Sequence, residues 1–558
     1  MPWQDEDDDG RIPFRIRIGV TGHRTLNEGP LLTTAVRGQI RRIVEFFPDR
    51  DTPISLSVVS QLADGADRLV VRQAIAEARE RGEEARLEFF LPMGRQDYID
   101  AQNFGAESLA EFDDLMERAT VRREEYGISS ETSAARGSAY AAGGRRLVAR
   151  CDVLIALWDG RESGGRGGTA ETLLYAAARS KPCVWISTDG EPVVRDNFGA
   201  DRGKDFYEDV AARAALPSPI RWSPMDHPKK AVQPLLGAFD SLDELNRQSL
   251  GVDYDAQLRE ELVSSRGVAP WVAAPFVRAT TLAKRWRWRF QWTARLITLF
   301  ATAAAVMLAI GLSFGKESEG WAWAEAAFFS GALLSLVVVR RVGFHRRWLT
   351  YRVLAEHLRS ASFLAPTGAD FRRQAKLEAV YTGHEPTGWL MRAFEEVWDR
   401  RPLRPPPLSA LDEGELAQFK AWLAENWIGE QIRYHKVAMR RHGFWHRVLT
   451  GSVVFFFLAT IAFACLHSLH TAEDAAVFFS IALPAAGASL GVLLTVNQHQ
   501  AMRERSARMR SDLAVVQRDV LDAAPDSLDK VTSEAARVIA QEAGGWFGSM
   551  WFLDIEHP

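Results

Sequence analysis

Cysteine is almost missing from this chain. Its 558 residues contain 3, Cys151, Cys183 and Cys465, too few and too scattered for a disulfide framework or a zinc site, and each reads as a small apolar residue. A basic excess is missing too. With 68 Lys and Arg against 72 Asp and Glu, the formal net charge is -4, which argues against a dedicated nucleic-acid binder, so no nucleic-acid polymer is expected as a partner. The chain has no apolar leader in its first ten residues, where Met1 to Gly10 is acidic; residues 1–12 are expected to form a disordered tail rather than a secretory signal. No spacing of His, Cys and carboxylates predicts a metal, and none predicts a resident cofactor. Finally, charge itself nearly vanishes from four long stretches in the second half.

The first half instead alternates strand and helix patterns. Strands are expected at Phe14 to Val20, Ile54 to Ser60, Leu87 to Leu91, Asp152 to Leu157 and Pro182 to Ile186. Helical patterning fills Leu31 to Phe47, the segment from Ala66 towards Gly82, a run from about Ala106, and Ala134 to Arg150. Such alternation predicts a parallel α/β sheet with right-handed crossovers. In that topology every strand-to-helix loop lies at the carboxyl edge of the sheet, where ligands of open α/β folds bind.

Three loops of that edge carry unusual chemistry. Thr21-Gly22-His23-Arg24 follows the first strand, QLADGADR from Gln61 to Arg68 follows the second, and DGRESGGRGGTAE from Asp159 to Glu171 follows the fourth. In the last, Gly160, Gly164, Gly165, Gly167 and Gly168 supply turn freedom or remove the Cβ atoms that would keep a ligand from main-chain N–H groups. Thr169-Ala170-Glu171 then opens a helix whose first donors have no internal partner, a setting that attracts phosphate. Arg24, Arg68 and Arg166 are placed to meet phosphates, and Asp64 and Asp67 to accept from ribose hydroxyls or a base edge.

The strand followed by TGHR, the ADGAD turn and the GGRGGTAE loop resemble the SLOG superfamily over roughly Phe14 to Ser187. That superfamily is a Rossmann-like nucleotide-binding fold that includes the lonely-guy phosphoribohydrolases and ligand-sensing domains of bacterial defence proteins. The resemblance implies that Gly22, Arg24, Gly65, Asp67 and Gly167 to Glu171 contact a nucleotide-derived ligand, such as an ADP-ribose derivative or a cyclic oligonucleotide. Hydrolytic members carry a proline-glycine-glycine loop and a glutamate three residues after the threonine. Here the proline is absent and Thr172 takes the glutamate's place, so the expectation is binding rather than hydrolysis. In a hydrolase of this type, Glu171 and Asp67 are the residues expected to assist water.

Four stretches in the second half are long enough to cross a bilayer: Leu296 to Gly315, Gly320 to Val339, Val448 to Leu469 and Ala475 to Val496, with Glu325 the single charge among them. Arginines and a lysine crowd their outer flanks at 284–289, 340–347, 440–447 and 503–508, whereas the loops inside each pair carry Glu317, Glu319, Glu473 and Asp474. The positive-inside rule therefore puts both termini in the cytoplasm. Trp286, Trp288, Trp292, Trp321, Trp323 and Trp445 fall where interfacial aromatics belong. The two hairpins read as an internal repeat. Trp348, Tyr351, Ala355 and Leu358 share one helical face after the second span, and Trp427, Gln431, Tyr434 and Ala438 share one before the third. WLTYRVLAEHLR and WIGEQIRYH resemble the SLATT family, a two-helix membrane effector module found beside nucleotide-sensing domains.

The expected organisation is an acidic tail at 1–12, a Rossmann-like domain at 13–190, a helical connector at 191–280, transmembrane hairpins with flanking helices at 281–362 and 421–545, a linker at 363–420, and a tail at 546–558. The expected function is a multi-pass effector of the bacterial inner membrane, active in anti-phage defence. A nucleotide second messenger, made by a separately encoded enzyme, would make it oligomerise or open a pore. Small residues at Gly487, Ser489 and Gly491 suit helix packing in a homo-oligomer. A membrane-anchored N-glycosidase or phosphoribohydrolase is one alternative, and a passive scaffold with a degenerate cleft is another.

Overall fold

The computed structural model describes residues 10–124, 132–162, 166–198, 202–214, 231–248, 263, 268–315, 320–369, 388–401, 408–470 and 473–551. The chain divides into two compact units, Ile12–Gln248 and the remainder, Met1–Arg11 with Ser249–Pro558.

The first unit is an α/β sheet of seven strands: β1 (Phe14–Gly22), β2 (Ile54–Ser60), β3 (Arg86–Leu91), β4 (Val121–Glu124), β5 (Val153–Trp158), β6 (Cys183–Ser187) and β7 (Val194–Asp196). Their order is β4-β3-β2-β1-β5-β6-β7. All neighbours pair in parallel except β6 and β7, so six strands are parallel and the seventh closes one edge antiparallel. The chain runs outward from β1 through β4, then restarts on the other side of β1 with β5. The gap between the ends of β1 and β5 is therefore the topological switch point, where an open α/β sheet leaves a crevice.

Helices α1 (Pro30–Glu45), α2 (Ala66–Glu80), α3 (Arg95–Gln102), α4 (Ala106–Arg118), α5 (Ser133–Arg150), α6 (Thr169–Ala178), α7 (Arg202–Ala214) and α8 (Gln233–Arg247) surround the sheet. All five expected strands form. The short strands β4 and β7 and helix α3 lie outside the sequence expectation, being brief and without a marked apolar rhythm. The unit also extends to Gln248 rather than ending near 190. Asn246 of α8 explains this: its side-chain oxygen accepts from the Ile12 N–H at 3.0 Å and its amide donates to Ile12 O at 2.9 Å and Thr52 Oγ1 at 3.0 Å, all buried. Of the helix expected over Asp243 to Ser265, α8 covers Asp243 to Arg247, and most of the rest lies outside the described residues.

The alternation that marks β1 as a strand also misleads about its polar face. Arg15 and Arg17 are both buried because the sheet is covered on both sides. Their charge is met by Glu88 of β3, which lies 3.7 Å from Arg15 Nη1 and 3.3 Å from Arg17 Nε, and accepts from Arg150 Nε at 2.8 Å and Ser57 Oγ at 2.9 Å. Burial alone would raise the Glu88 carboxyl, yet the three guanidiniums hold it well below the usual carboxylate range. Once paired in this way, the cluster fixes β1 against β3 across β2, and losing one partner would leave buried charge.

The second unit is all helical. Its elements are α9 (Pro270–Phe314), α10 (Gly320–Val342), α11 (Phe344–Leu364), α12 (Gly388–Trp398), α13 (Glu413–Trp422, continued by a π-helical turn at Leu423–Gly429), α14 (Glu430–Ser468), α15 (Glu473–Asn497), α16 (His499–Asp522) and α17 (Leu528–Trp551). Four helical segments are long and apolar enough to cross a membrane, and only 22%, 6%, 0% and 11% of their most apolar windows is buried within the protein. Apolar helix surface left uncovered on this scale belongs against lipid, so the unit has the build of a membrane domain. Trp288, Trp292, Trp323 and Trp445 are exposed at the ends of these stretches, whereas Trp286 is buried against Phe344.

The two hairpins repeat one plan. A long helix, 45 residues in α9 and 39 in α14, is followed by a shorter one of 23 in α10 and 25 in α15. A single left-handed residue, Gly343 at φ 65° or Gln498 at φ 45°, then breaks the chain into the basic helix that follows. Within the chain α9 packs on α15, and Thr302 Oγ1 lies 2.6 Å from Ser489 Oγ. Ser489 thus serves contact between the two hairpins, and a Cβ added at Gly491 would meet nothing within 4 Å. The face expected at Trp348, Tyr351, Ala355 and Leu358 is buried; on the other, Trp427, Gln431 and Ala438 are buried but Tyr434 is 41% exposed.

Candidate functional site

A cleft of about 380 Å³ opens at the switch point, within the size range of small-molecule sites, roughly 300–1,000 Å³. Its lining includes Thr21 and Gly22 at the end of β1, His23 and Arg24 after it, Asp67 at the start of α2, and Arg166, Gly167, Gly168 and Thr169 around the start of α6.

Close packing forms its floor. A Cβ on Gly22 would fall 2.2 Å from Ala66 Cβ and 2.8 Å from Leu157 O, so only glycine lets β1, β5 and α2 converge here. The loop after β1 is tied on both sides: His23 N–H donates to Leu157 O at 3.1 Å and His23 O accepts from Ala66 N–H at 3.0 Å. His23 Nε2 lies 3.1 Å from the Asp159 N–H and 3.0 Å from Asp159 Oδ1. A neutral imidazole accepts from the first, and a protonated one donates to the second. Burial raises the Asp159 carboxyl, but the N–H of Arg161 and the charge of His23 outweigh it and lower the carboxyl overall. His23 and Asp159 therefore bracket the loops on either side of the switch point.

The glycine loop is held by its own helix. Gly167 takes a left-handed φ of +79°, and a Cβ there would meet Ala141 N at 2.4 Å. Glu171, in the first turn of α6, reaches back so that its Oε2 accepts from the Gly167 N–H at 2.7 Å. A capping box would direct this N3 carboxylate to the N-cap N–H, that of Gly168; here it reaches one residue further, to Gly167. The N-cap residue, Gly168, has no side chain to bond the first-turn N–H groups. Those donors, with the positive end of the helix dipole, face the cleft and suit a phosphate group.

Arg24 lines the same cleft and is exposed, with its guanidinium 5.2 Å from the Tyr140 ring centroid. Among the described residues, two polar atoms of the lining have no hydrogen-bond partner: the hydroxyl of Tyr98, a fully buried side chain, and Oε1 of Gln102, whose amide nitrogen donates to Tyr140 Oη at 3.2 Å. Buried polar groups left unpaired are costly and are ordinarily matched by a ligand or water. The cleft thus offers a cation, main-chain donors, a hydroxyl and an amide, with Arg24, Gln102 and Tyr98 gathered around Tyr140.

The structure does not bring every expected residue into this cleft. Arg68 is 2% exposed and turned away: it lies 3.1 Å from Asp64, donates to Ser108 O at 2.6 Å and to Glu111 at 3.2 Å, and stacks on Phe104. Asp64 also accepts from Ser108 Oγ at 2.6 Å, so both residues anchor α2 to α4. Gly65, Asp159, Gly160 and Glu171 shape the loops without lining the cavity, while Gly165 lies outside the described residues. Asp67 does line it, but its Oδ2 accepts from Ser60 Oγ at 2.8 Å and Gln61 N–H at 3.0 Å. Burial nevertheless pushes its carboxyl up to about 6.

Sequence reasoning missed Tyr98, Gln102 and Tyr140, which sit on α3 and α5 rather than on the strand-to-helix loops. The local signal was a single tyrosine in each helix. Among the described residues, no group of three or more His, Cys, Asp or Glu is placed to hold a metal ion. Comparison of the chain with protein-family models, curated proteins and solved structures gives no match.

Proposed function

We propose that the α/β unit is a sensor for a nucleotide-derived signal and that the four-helix membrane unit is its effector. The observation that carries this reading is the uncapped start of α6 and Arg24 lining one switch-point cleft, in a chain that continues into four apolar helices. A phosphate fits the first-turn N–H groups and Arg24, and the unpaired Tyr98 hydroxyl and Gln102 carbonyl suit ribose hydroxyls or a base edge. An ADP-ribose derivative or a cyclic oligonucleotide has both parts. The basic flanks of the spans support a bacterial inner-membrane protein with both termini and the sensor in the cytoplasm.

Binding orders the glycine loop and shifts the population of the membrane unit towards an oligomeric or open state; ion leakage then arrests an infected cell. The ligand, made by a separate enzyme, must favour the active state for this to occur. The carboxylates of Glu171 and Asp67 are both engaged by main-chain N–H groups, which favours binding over the hydrolytic alternative. In vesicles loaded with a self-quenching dye and containing the full chain, ADP-ribose or a cyclic oligonucleotide is expected to release dye. Arg24→Ala is expected to abolish release without altering insertion. Equal release by the variant would remove Arg24 from the site and, with it, this reading.

A further inference from the structure

The helical unit holds a second, larger cavity of about 570 Å³, walled by α9, α11, α14, α15 and α16. Its chemistry changes from one end to the other. Leu449, Leu493 and Val496 form an apolar end, and Arg287, Arg352 and Arg441 a basic one. The apolar end belongs to the third and fourth apolar stretches. Arg441 precedes Val448, where the third stretch starts, by seven residues, which is about 10 Å along a helix. The basic end therefore stands just outside the hydrocarbon, at the depth of lipid headgroups.

Charge in this lining is unbalanced. Arg287, Arg295, Arg352 and Arg441 face a single carboxylate, Glu356, which lies 3.7 Å from Arg352 and accepts from Gln431 Nε2 at 3.3 Å. Among the described residues, Nε of Arg287 is buried without a hydrogen-bond partner. So is Nδ1 of His435, a residue only 4% exposed. Trp348, whose ring centroid is 5.7 Å from the Arg287 guanidinium, orients that cation but satisfies none of its N–H groups. Unpaired donors and surplus cations beside a bilayer are costly unless an anion meets them.

We infer that this cavity binds the phosphate of an anionic phospholipid, with Arg287, Arg441 and His435 donating to its oxygens and an acyl chain lying along Leu449, Leu493 and Val496. A free phosphate would satisfy the donors but leave the apolar end empty. A zwitterionic headgroup would bring an ammonium into a cluster that is already cationic. Basic pockets between membrane helices on the cytoplasmic side take anionic headgroups by the same physics. The inference rests on the membrane build of this unit and needs no ligand in the α/β cleft.

Native mass spectrometry of the full chain, released from bilayers of phosphatidylglycerol and phosphatidylcholine at equal mole fraction, tests it. Wild type is expected to retain phosphatidylglycerol preferentially. Arg287→Gln is expected to lower that retention by about fivefold, the share of one basic residue at an anionic surface. Arg441→Glu is expected to lower it further; Arg441 is exposed, so this variant keeps the interior packing intact. Millimolar inorganic phosphate should not displace the lipid. Equal retention of the two lipids, retention unchanged in Arg441→Glu, or displacement by inorganic phosphate would each overturn the inference.

Discussion

Replacing Glu171 separates a carboxylate that shapes the glycine loop from one that performs chemistry. Its Oε2 accepts from the Gly167 N–H at 2.7 Å while the residue is 5% exposed. A hydrogen bond to a charged partner contributes about 1.5–3 kcal/mol. Glu171→Ala removes it and should raise local opening of the loop by roughly 10- to 150-fold, since about 1.4 kcal/mol is tenfold. Glu171→Gln keeps an acceptor in place but loses the charge; a loss of about 1 kcal/mol is expected, roughly a fivefold change. Hydrogen exchange of the segment containing Gly167, measured on the full chain, reads both effects without any ligand. The reasoning fails if Gln and Ala variants exchange as wild type does while a nucleoside-phosphate hydrolysis present in wild type disappears. That result would make Glu171 a catalytic base.

Three other outcomes follow from the same unit. Gly22→Ala puts a Cβ 2.2 Å from Ala66 Cβ and should cost about 1–3 kcal/mol of stability by overpacking, read as a lowered midpoint of thermal unfolding. Glu88→Ala removes the buried carboxylate that Arg15, Arg17 and Arg150 share and should cost about 3–5 kcal/mol, read in urea unfolding of the α/β transition. Asp67, raised from 3.8 to about 6, binds its proton more tightly in the folded than in the unfolded chain. Its stabilising contribution is therefore complete below pH 4 and is lost as pH rises through 6, by about 3 kcal/mol. Asp67→Asn should flatten that part of the stability-pH curve, and an unchanged curve would assign the loss to other groups.

The strands of the sheet were legible because β1, β2, β3, β5 and β6 are apolar runs ended by turn residues, and the topology that follows from strand-helix alternation placed the cleft. Spans were legible for the same reason in stronger form, since nothing but lipid accommodates long uncharged helices with so little internal cover. Side-chain direction was not legible. Arg68 and Arg24 both follow a strand, yet Phe104, Ser108 and Glu111 capture one while the other stays exposed beside Tyr140; the helix carrying Ser108 and Glu111 was legible, but not which arginine it would hold. Glu171 looked like a ligand contact or a general base because it sits in the first turn after the glycines; its hook onto Gly167 depends on a left-handed turn that no local rule specifies. Tyr98 and Gln102 reach the cleft only because α3 crosses the sheet edge there. The basic cavity of the membrane unit joins residues from both hairpins, separated by well over a hundred positions, and only their packing brings them together.

The central claim, that this cleft holds a nucleotide-derived ligand, is tested most directly by mass spectrometry of small molecules released on denaturing the full-length protein purified from phage-challenged cells, with Arg24→Ala prepared in parallel. The account predicts a phosphorylated nucleoside compound at near one per chain from the wild type and its loss from the variant. A protein that releases no such compound, or a variant that releases as much as wild type, would contradict it.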